Sequence, residues 1–75
     1  MKLSNLHIGD QAIIKNIETN DELKSRLFSF GVGRGSKLTI EACSIRQKTI
    51  EIEVDGTLIG LRGKEAEEIE VEKIS

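Results

Sequence analysis

Residues 23–42, LKSRLFSFGVGRGSKLTIEA, predict a helix that ends at a glycine and is followed by a strand. In their first half, apolar residues recur at i, i+4 and i+7, the spacing of one helical stripe: Leu23, Leu27 and Phe30. Gly31 comes next, and glycine best tolerates the left-handed conformation just beyond a helix C-terminus. We therefore predict an α-helix over residues 20–30 with Gly31 at its C′ position and Phe28 to the side of the stripe.

The start of this helix is also marked in the sequence. Residues 19–22, Thr-Asn-Asp-Glu, fit a capping box. In that motif the Thr19 hydroxyl accepts a hydrogen bond from the Glu22 amide, and the Glu22 carboxylate accepts one from the Thr19 amide. Asp21 and Glu22 also place negative charge where the helix dipole favours it.

Alternation of apolar and polar residues predicts five β-strands, over residues 11–18, 37–43, 49–54, 57–61 and 69–72. In the first strand the alternation breaks after Ile14, which predicts a bulge near Lys15 and Asn16. The inward side chains of the first two strands are then Ala12, Ile14, Ile17, Leu38, Ile40 and Ala42. In the third strand the two isoleucines and Val54 should face inward.

The connections complete the predicted architecture. Asp55-Gly56 predicts a type I′ hairpin turn, because both central positions of that turn need positive φ. Residues 44–47 are predicted as a loop and residues 64–68 as a short helical turn. The order of elements predicts a mainly β fold: an SH3-like five-stranded barrel with one α-helix inserted after the first strand and a short helical turn before the last. The 75 residues should form a single domain, residues 1–75.

The composition excludes several classes of protein. Hydrophobic residues are 37% of the chain, charged residues are 32% and the net charge is −2, which does not fit a disordered chain. No apolar run approaches the roughly 20 residues of a membrane span, and no apolar segment marks a secretory signal. One cysteine cannot form an internal disulfide, and small secreted domains usually need several, so we expect an intracellular protein. Neither a basic stripe nor stacking aromatic residues indicate nucleic-acid binding.

Patterns for catalysis and metal binding are weak. The only histidine is His7 and the only cysteine is Cys43, and nothing local brings them together as base and nucleophile. No C-x-x-C or H-x-x-x-H spacing is present, which leaves a weak mononuclear site from His7 or Cys43 with a carboxylate. The three glycines of residues 31–35 follow a helix instead of preceding one, which favours turn geometry over a phosphate cradle. We therefore predict no catalytic residue and no cofactor.

Three motifs lie in order along the chain. The first is Leu6-x-x-Gly9-x-x-Ala12-x-Ile14-x-x-Ile17, the second is Leu23-x-x-Arg26-Leu27-x-x-Phe30-Gly31-Val32-x-x-Gly35-x-x-Leu38, and the third is Gly60-Leu61-Arg62-x-x-Glu65-Ala66-x-x-Ile69-x-Val71. Together they resemble the FeoA family, small SH3-like proteins that accompany the ferrous iron transporter FeoB in bacteria. One position departs from the family pattern: where members usually carry proline before the glycine that opens the second strand, this chain has Arg34. We expect that change to add flexibility and a positive charge to the loop.

The resemblance implies a non-catalytic, cytoplasmic accessory of ferrous iron uptake. Such a protein would dock on the cytoplasmic part of a FeoB-type transporter, whose N-terminal domain is a GTPase, without binding nucleic acid or inserting into the membrane. The same fold forms the C-terminal domain of iron- and manganese-dependent repressors, so a metal-binding or metal-sensing module is the alternative. A hydrolytic or redox enzyme that uses His7 or Cys43 is the third hypothesis. Metal binding and oligomeric state stay open.

Docking needs an apolar anchor within a rim of charge. Phe28, off the helical stripe, is the candidate anchor, and the candidate rim residues are Lys24, Arg26, Arg34 and Arg62. Two structural alternatives compete with these roles. Packing of Phe28 beneath residues 33–35 is the favoured alternative for that side chain, and Arg62 could simply pair with Glu65 at i+3.

Overall fold

The computed structural model describes residues 1–18, 21–44, 46 and 48–74, and in it five antiparallel strands form one sheet. A 3₁₀ turn (Leu3–Asn5) precedes β1 (Gln11–Ile17), α1 (Asp21–Ser29), β2 (Lys37–Cys43), β3 (Thr49–Val54), β4 (Thr57–Arg62), α2 (Gly63–Ala66) and β5 (Ile69–Lys73). The strand order is β4-β3-β2-β1-β5, and over the described ranges the edge strands β4 and β5 do not pair with each other. The predicted mainly β fold with one inserted helix and a short helical turn is confirmed.

One aliphatic cluster holds these elements together. It draws on every strand, both helices and the 3₁₀ turn, and it includes the predicted inward residues of β3: Ile50, Ile52 and Val54. No polar or charged side chain is buried in the part of the chain that the structure describes. Burial of each leucine, isoleucine or valine side chain contributes about 1.5–3 kcal/mol, so the fold is held by apolar burial and its polar chemistry lies at the surface.

The predicted bulge in β1 is present. The register of β1 against β5 shifts between Ile14 and Asn16, which leaves Lys15 out of the pairing. Because the bulge adds a residue to the strand, Ile14 and Ile17 both face the core although they are three residues apart.

A second bulge, in β2, makes one expectation wrong. The register of β2 against β3 shifts between Ile40 and Ala42. Ala42 was predicted to face inward but is exposed, and Cys43 packs against the core instead. A shift of one residue exchanges the two faces of a strand, so the end of β2 is inverted relative to its alternation.

α1 ends in a Schellman motif. The Val32 amide donates to the Leu27 carbonyl and the Gly31 amide donates to the Phe28 carbonyl, each at 2.9 Å. The φ of Gly31 is 77°, which confirms glycine at C′. The motif reverses the chain within three residues and brings Val32 into the core beside the helix.

The apolar stripe of the helix is shorter than predicted. Two of its residues are buried, Leu23 and Leu27. Phe30 is half exposed, because α1 ends at Ser29 and Val32 takes the core position that the periodicity assigned to Phe30. The capping box predicted for the other end of the helix depends on Thr19, which lies outside the described residues.

The turn between β3 and β4 follows its prediction. Asp55 and Gly56 have φ values of 52° and 84°, as a type I′ turn requires, and Val54 faces Thr57 across it. This two-residue turn sets the register of the whole β3–β4 hairpin.

We predict that Gly31→Val lowers the free energy of unfolding by more than about 1 kcal/mol, because a β-branched residue resists positive φ. Gly33→Val is the matched control: Gly33 has no positive φ, and a Cβ added there meets nothing within 4 Å. That control should change the unfolding free energy by less than about 0.5 kcal/mol. Denaturant unfolding measures both, and equal values for the two variants would contradict the prediction.

Candidate docking face

The five candidate contact residues divide between the two sides of α1. Lys24, Phe28 and Arg34 line a groove on one side, together with residues of β1 and of the glycine loop. Arg26 and Arg62 line a cleft on the other side, between α1 and α2. Each side therefore needs its own physical account.

The groove lies between α1, the β1 bulge and the loop that follows the helix. It is open, about 340 Å³ in volume, and lined by Asn16, Ile17, Lys24, Phe28, Val32, Gly33 and Arg34. Its floor is apolar, because Ile17 and Val32 are core residues that reach its base. Its rim is basic, with Lys24 on the helix and Arg34 on the loop.

Phe28 does not pack beneath residues 33–35, so the alternative favoured for it is wrong. Its side chain is 80% exposed, the highest fraction among the exposed large apolar residues of the described chain. The Schellman motif explains this position, since Val32 and not Phe28 covers the end of the core. An aromatic ring so exposed retains nearly all of its surface for a partner.

Arg34 is held against the strand that carries the bulge. Its Nε donates to the Lys15 carbonyl at 3.2 Å, at the residue that the bulge leaves out of the pairing with β5. The neighbouring Gly35 amide donates to the Ile14 carbonyl at 2.8 Å, and the Gly33 amide donates to the Ser36 hydroxyl at 3.0 Å. The glycine loop thus has the turn geometry expected of it. A proline in place of Arg34 could not donate the hydrogen bond to the Lys15 carbonyl.

The cleft on the other side of α1 is organised by Glu65. Its Oε1 accepts from the Arg26 guanidinium at 3.0 Å and from the Arg62 amide at 2.9 Å. The direct ion pair of this carboxylate is with Arg26 from the facing helix, and the Arg62 guanidinium, the partner considered at i+3, acts on Glu65 through its charge without a contact within 4 Å. Burial raises the pKa of Glu65, but the hydrogen bonds from the Arg62 amide and the Arg26 guanidinium outweigh it and leave the pKa below its ordinary value.

The two residues considered for catalysis lie apart from both features. His7 is largely exposed, with its Nδ1 3.9 Å from Asp10 Oδ2, and Cys43 is half-buried at the end of β2. The His7 amide donates to Asp10 at 2.8 Å and, with Lys73 nearby, lowers the pKa of that carboxyl. Within the described ranges, no three His, Cys, Asp or Glu side chains are grouped so as to hold a metal ion.

Neither helix of the described chain has the length and apolar character needed to cross a membrane.

The sequence predicted the polar rim of the groove, but not which residues form its floor or its wall on β1. Asn16 and Ile17 enter the groove because of the β1 bulge, and Val32 enters it because of the helix cap. The break in alternation after Ile14 was the available signal for the first two. Nothing in the local sequence shows that Val32, and not Phe30, lies in the floor of the groove.

Comparison of the chain with known proteins gives a match along its length. The FeoA domain family matches residues 1–73. Fe(2+) transport protein A of Campylobacter jejuni is 40% identical over 74 residues, which are 99% of this chain and 100% of that protein. A fusion of Fe(2+) transport protein A and Fe(2+) transporter FeoB from Porphyromonas gingivalis is 33% identical over 75 residues, which are 100% of this chain and 9% of the fusion.

Solved structures share the fold. FeoA from Chlorobium tepidum aligns with a TM-score of 0.93 at 33% identity, over 100% of this chain and 71% of that one. FeoA of Stenotrophomonas maltophilia complexed with zinc, an SH3 domain protein, aligns at 0.81 and 25% identity over 96% and 89%. A manganese-dependent transcriptional repressor, 21% identical, shares the fold alone, with a TM-score of 0.87 over 99% of this chain and 36% of the repressor. The predicted SH3-like fold is confirmed.

We predict that Arg26→Gln raises the pKa of Glu65, because it removes one of the two hydrogen bonds to Oε1. A lowered folded-state pKa means that Glu65 stabilises the fold above its unfolded pKa and loses this contribution as the pH falls through its folded pKa. As the pH falls, the free energy of unfolding should therefore decrease less in Arg26→Gln than in the natural protein. Carboxyl NMR titration measures the pKa, and Lys24→Gln, on the other side of α1, is the control that should leave it unchanged.

Proposed function

The chain belongs to the FeoA family, and from that premise we propose that it is a non-catalytic cytoplasmic accessory of ferrous iron uptake that docks on a FeoB-type transporter. The family is linked to Fe(2+) transport through the names of its members. The P. gingivalis fusion supports docking, since it carries a segment similar to this chain and a FeoB transporter in one polypeptide. Covalent linkage raises the effective concentration of two modules that act together.

The groove beside α1 supports this proposal with a surface suited to docking. Phe28 is the observation that carries it: an aromatic side chain, 80% exposed, beside an apolar floor formed by Ile17 and Val32. Binding hot spots are enriched in aromatic residues and arginine, surrounded by contacts that exclude water. Phe28 would enter an apolar pocket of the transporter while the groove receives an apolar side chain in return.

The charges around the groove define the partner surface. Lys24 and Arg34 both carry positive charge to its rim, and neither forms an ion pair among the described residues. A docking surface on the transporter should therefore place carboxylates around its apolar pocket, which favours encounter and orientation more than affinity. Arg34 is already held by the Lys15 carbonyl, so less of its conformational freedom is lost on binding.

The other side of α1 has a secondary role in the same proposal. Arg26 forms an ion pair with Glu65, so its charge is largely neutralised within the chain. Arg62 lines the same cleft, and its exposed guanidinium forms no ion pair within 4 Å among the described residues, although its charge lowers the pKa of Glu65. Arg62 is therefore the contact residue on this side, with Arg26 holding the cleft in shape.

Metal binding is the alternative function. Its support is a pair of donors at the surface, His7 Nδ1 and Asp10 Oδ2 at 3.9 Å, and the zinc bound to the S. maltophilia relative. Two donors from one turn make at most a weak site, since transition-metal sites use three or four protein ligands. Anaerobic calorimetry with ferrous ion tests this alternative: a saturable site that His7→Ala removes would establish it, and heat no greater than nonspecific binding would exclude it.

We predict that Phe28→Ala weakens binding to the cytoplasmic GTPase domain of the same organism's FeoB-type transporter by at least about tenfold, the loss expected of a central aromatic anchor. Its unfolding free energy should change by less than about 0.5 kcal/mol, because so exposed a ring contributes little to folding. Amide NMR titration measures binding and should show shifts clustered on α1 and residues 31–35.

Ile8→Ala is the matched control, since Ile8 is also a largely exposed apolar residue and lies outside the groove. It should bind like the natural protein. Equal binding by Phe28→Ala would exclude the groove as the docking surface. If neither the isolated domain nor the full-length transporter in a membrane binds this protein, the docking proposal is wrong.

A further inference from the structure

The two edge strands of the sheet differ in how they are protected. Along β5, the chain start forms a partial further strand: Lys2 bridges to Glu70, and the Val71 amide donates to the Met1 carbonyl at 2.7 Å. In the part of the chain that the structure describes, nothing similar covers β4, whose residues Leu58 and Gly60 are exposed. β4 also carries no lysine, proline or bulge, the devices by which natural edge strands avoid pairing with other chains.

The hairpin turn determines which backbone groups of β4 are free. A two-residue turn makes Val54 and Thr57 a hydrogen-bonded pair, so the pairs of Ile59 and Leu61 with β3 are hydrogen bonded as well. The amides and carbonyls of Leu58 and Gly60 alternate with these and point away from β3. Among the described residues no other partner reaches them.

We propose that β4 pairs with β4 of a second copy of this chain, antiparallel and centred on Ile59, to form a weak symmetric dimer with one continuous sheet. This inference does not rest on the proposed function. In this register Leu58 of each copy faces Gly60 of the other. Each such pair exchanges two backbone hydrogen bonds, which satisfies the free groups on both strands.

The neighbouring registers are disfavoured because each needs an amide that is already occupied. Centring on Gly60 would pair Leu58 with Arg62 of the second copy, but the Arg62 amide donates to Glu65 at 2.9 Å. Centring on Leu58 would pair Gly60 with Gly56 of the second copy, but the Gly56 amide donates to the Glu53 carboxylate at 2.6 Å. In the register centred on Ile59, the two central Leu58–Gly60 pairs use only free groups. Gly56 and Arg62, whose amides are occupied, then lie opposite each other at the ends of the pairing, where no hydrogen bond between the copies is needed.

Side chains agree with the same register. Leu58, 58% exposed, would lie over Gly60 of the second copy, where a Cβ would meet nothing within 4 Å and the leucine therefore finds open space. Arg62 would lie opposite Gly56 of the second copy and beside its Asp55. This places the Arg62 guanidinium near the exposed Asp55 carboxylate of the second copy, twice by symmetry, and charge complementarity of this kind fixes register.

An isotope-filtered NMR experiment on a mixture of labelled and unlabelled protein tests the proposal. Ile59 would form a non-hydrogen-bonded pair with itself across the two-fold axis, which brings the two Hα atoms together. We expect an intermolecular Ile59 Hα–Ile59 Hα contact and slower amide hydrogen exchange at Leu58 and Gly60 as the protein concentration rises from about 10 µM to about 1 mM, the range that a small interface requires. Exchange at these amides that is independent of concentration, or intermolecular contacts at another surface, would overturn the proposal.

Two matched variants separate the β4 edge from general surface hydrophobicity. Leu58→Lys puts a positive charge on the edge of the sheet. Within the same copy, Glu53 lies opposite position 58 across the hairpin, and because this cross-strand pair has opposite charges the monomer should keep its fold. Ile8→Lys makes the same change at another exposed apolar residue. In sedimentation equilibrium, Leu58→Lys should raise the dimer dissociation constant by at least tenfold and Ile8→Lys should leave it unchanged; equal effects would overturn the assignment to β4.

Discussion

The hydrogen bond from the Val32 amide to the Leu27 carbonyl is the constraint on which the candidate docking face depends. It closes the Schellman motif, which requires Gly31 in the left-handed region and returns the chain across the end of α1. Val32 is thereby delivered to the core, and the aromatic residues before it are left outside. The exposure of Phe28 is thus a consequence of how the helix ends, and a helix one turn longer would have buried a different set of side chains.

The same reversal couples the helix to the bulge of β1. Once the chain has turned, residues 33–36 run back along β1, where Ile14 accepts from Gly35 and donates to Ser36, and Lys15 accepts from Arg34. The bulge frees the Lys15 carbonyl, and the loop supplies the donor for it. Since the loop wall of the groove is held by hydrogen bonds to β1 and the helix wall ends in the Schellman motif, the face is preorganised, and little order has to be gained when a partner binds.

Most of the fold could be predicted from the sequence because period and turn chemistry are local properties. The type I′ turn at Asp55 and the glycine at C′ follow from the tolerance of these residue types for positive φ. The strands follow from the alternation of apolar and polar residues. The errors concern pairing between distant parts of the chain. The bulge that exposes Ala42 exists only in the register of β2 with β3, and the partner of Glu65 is Arg26, 39 residues away. For the docking face, charge and aromatic character were predictable, whereas the side of α1 to which each residue belongs was not.

The two proposed surfaces use different chemistry, and this bears on their compatibility. The groove beside α1 offers side chains, an aromatic ring and two cations, and so discriminates between partners by their pockets and charges. The β4 edge offers mainly backbone groups, which any extended strand can satisfy, so its selectivity depends on register. That register is set by which amides are already occupied, at Gly56 and at Arg62, and by the attraction between the Arg62 guanidinium and Asp55 of the second copy. No residue of β4 lines the groove, so pairing of two copies would leave both Phe28 side chains free and present two docking faces on one particle.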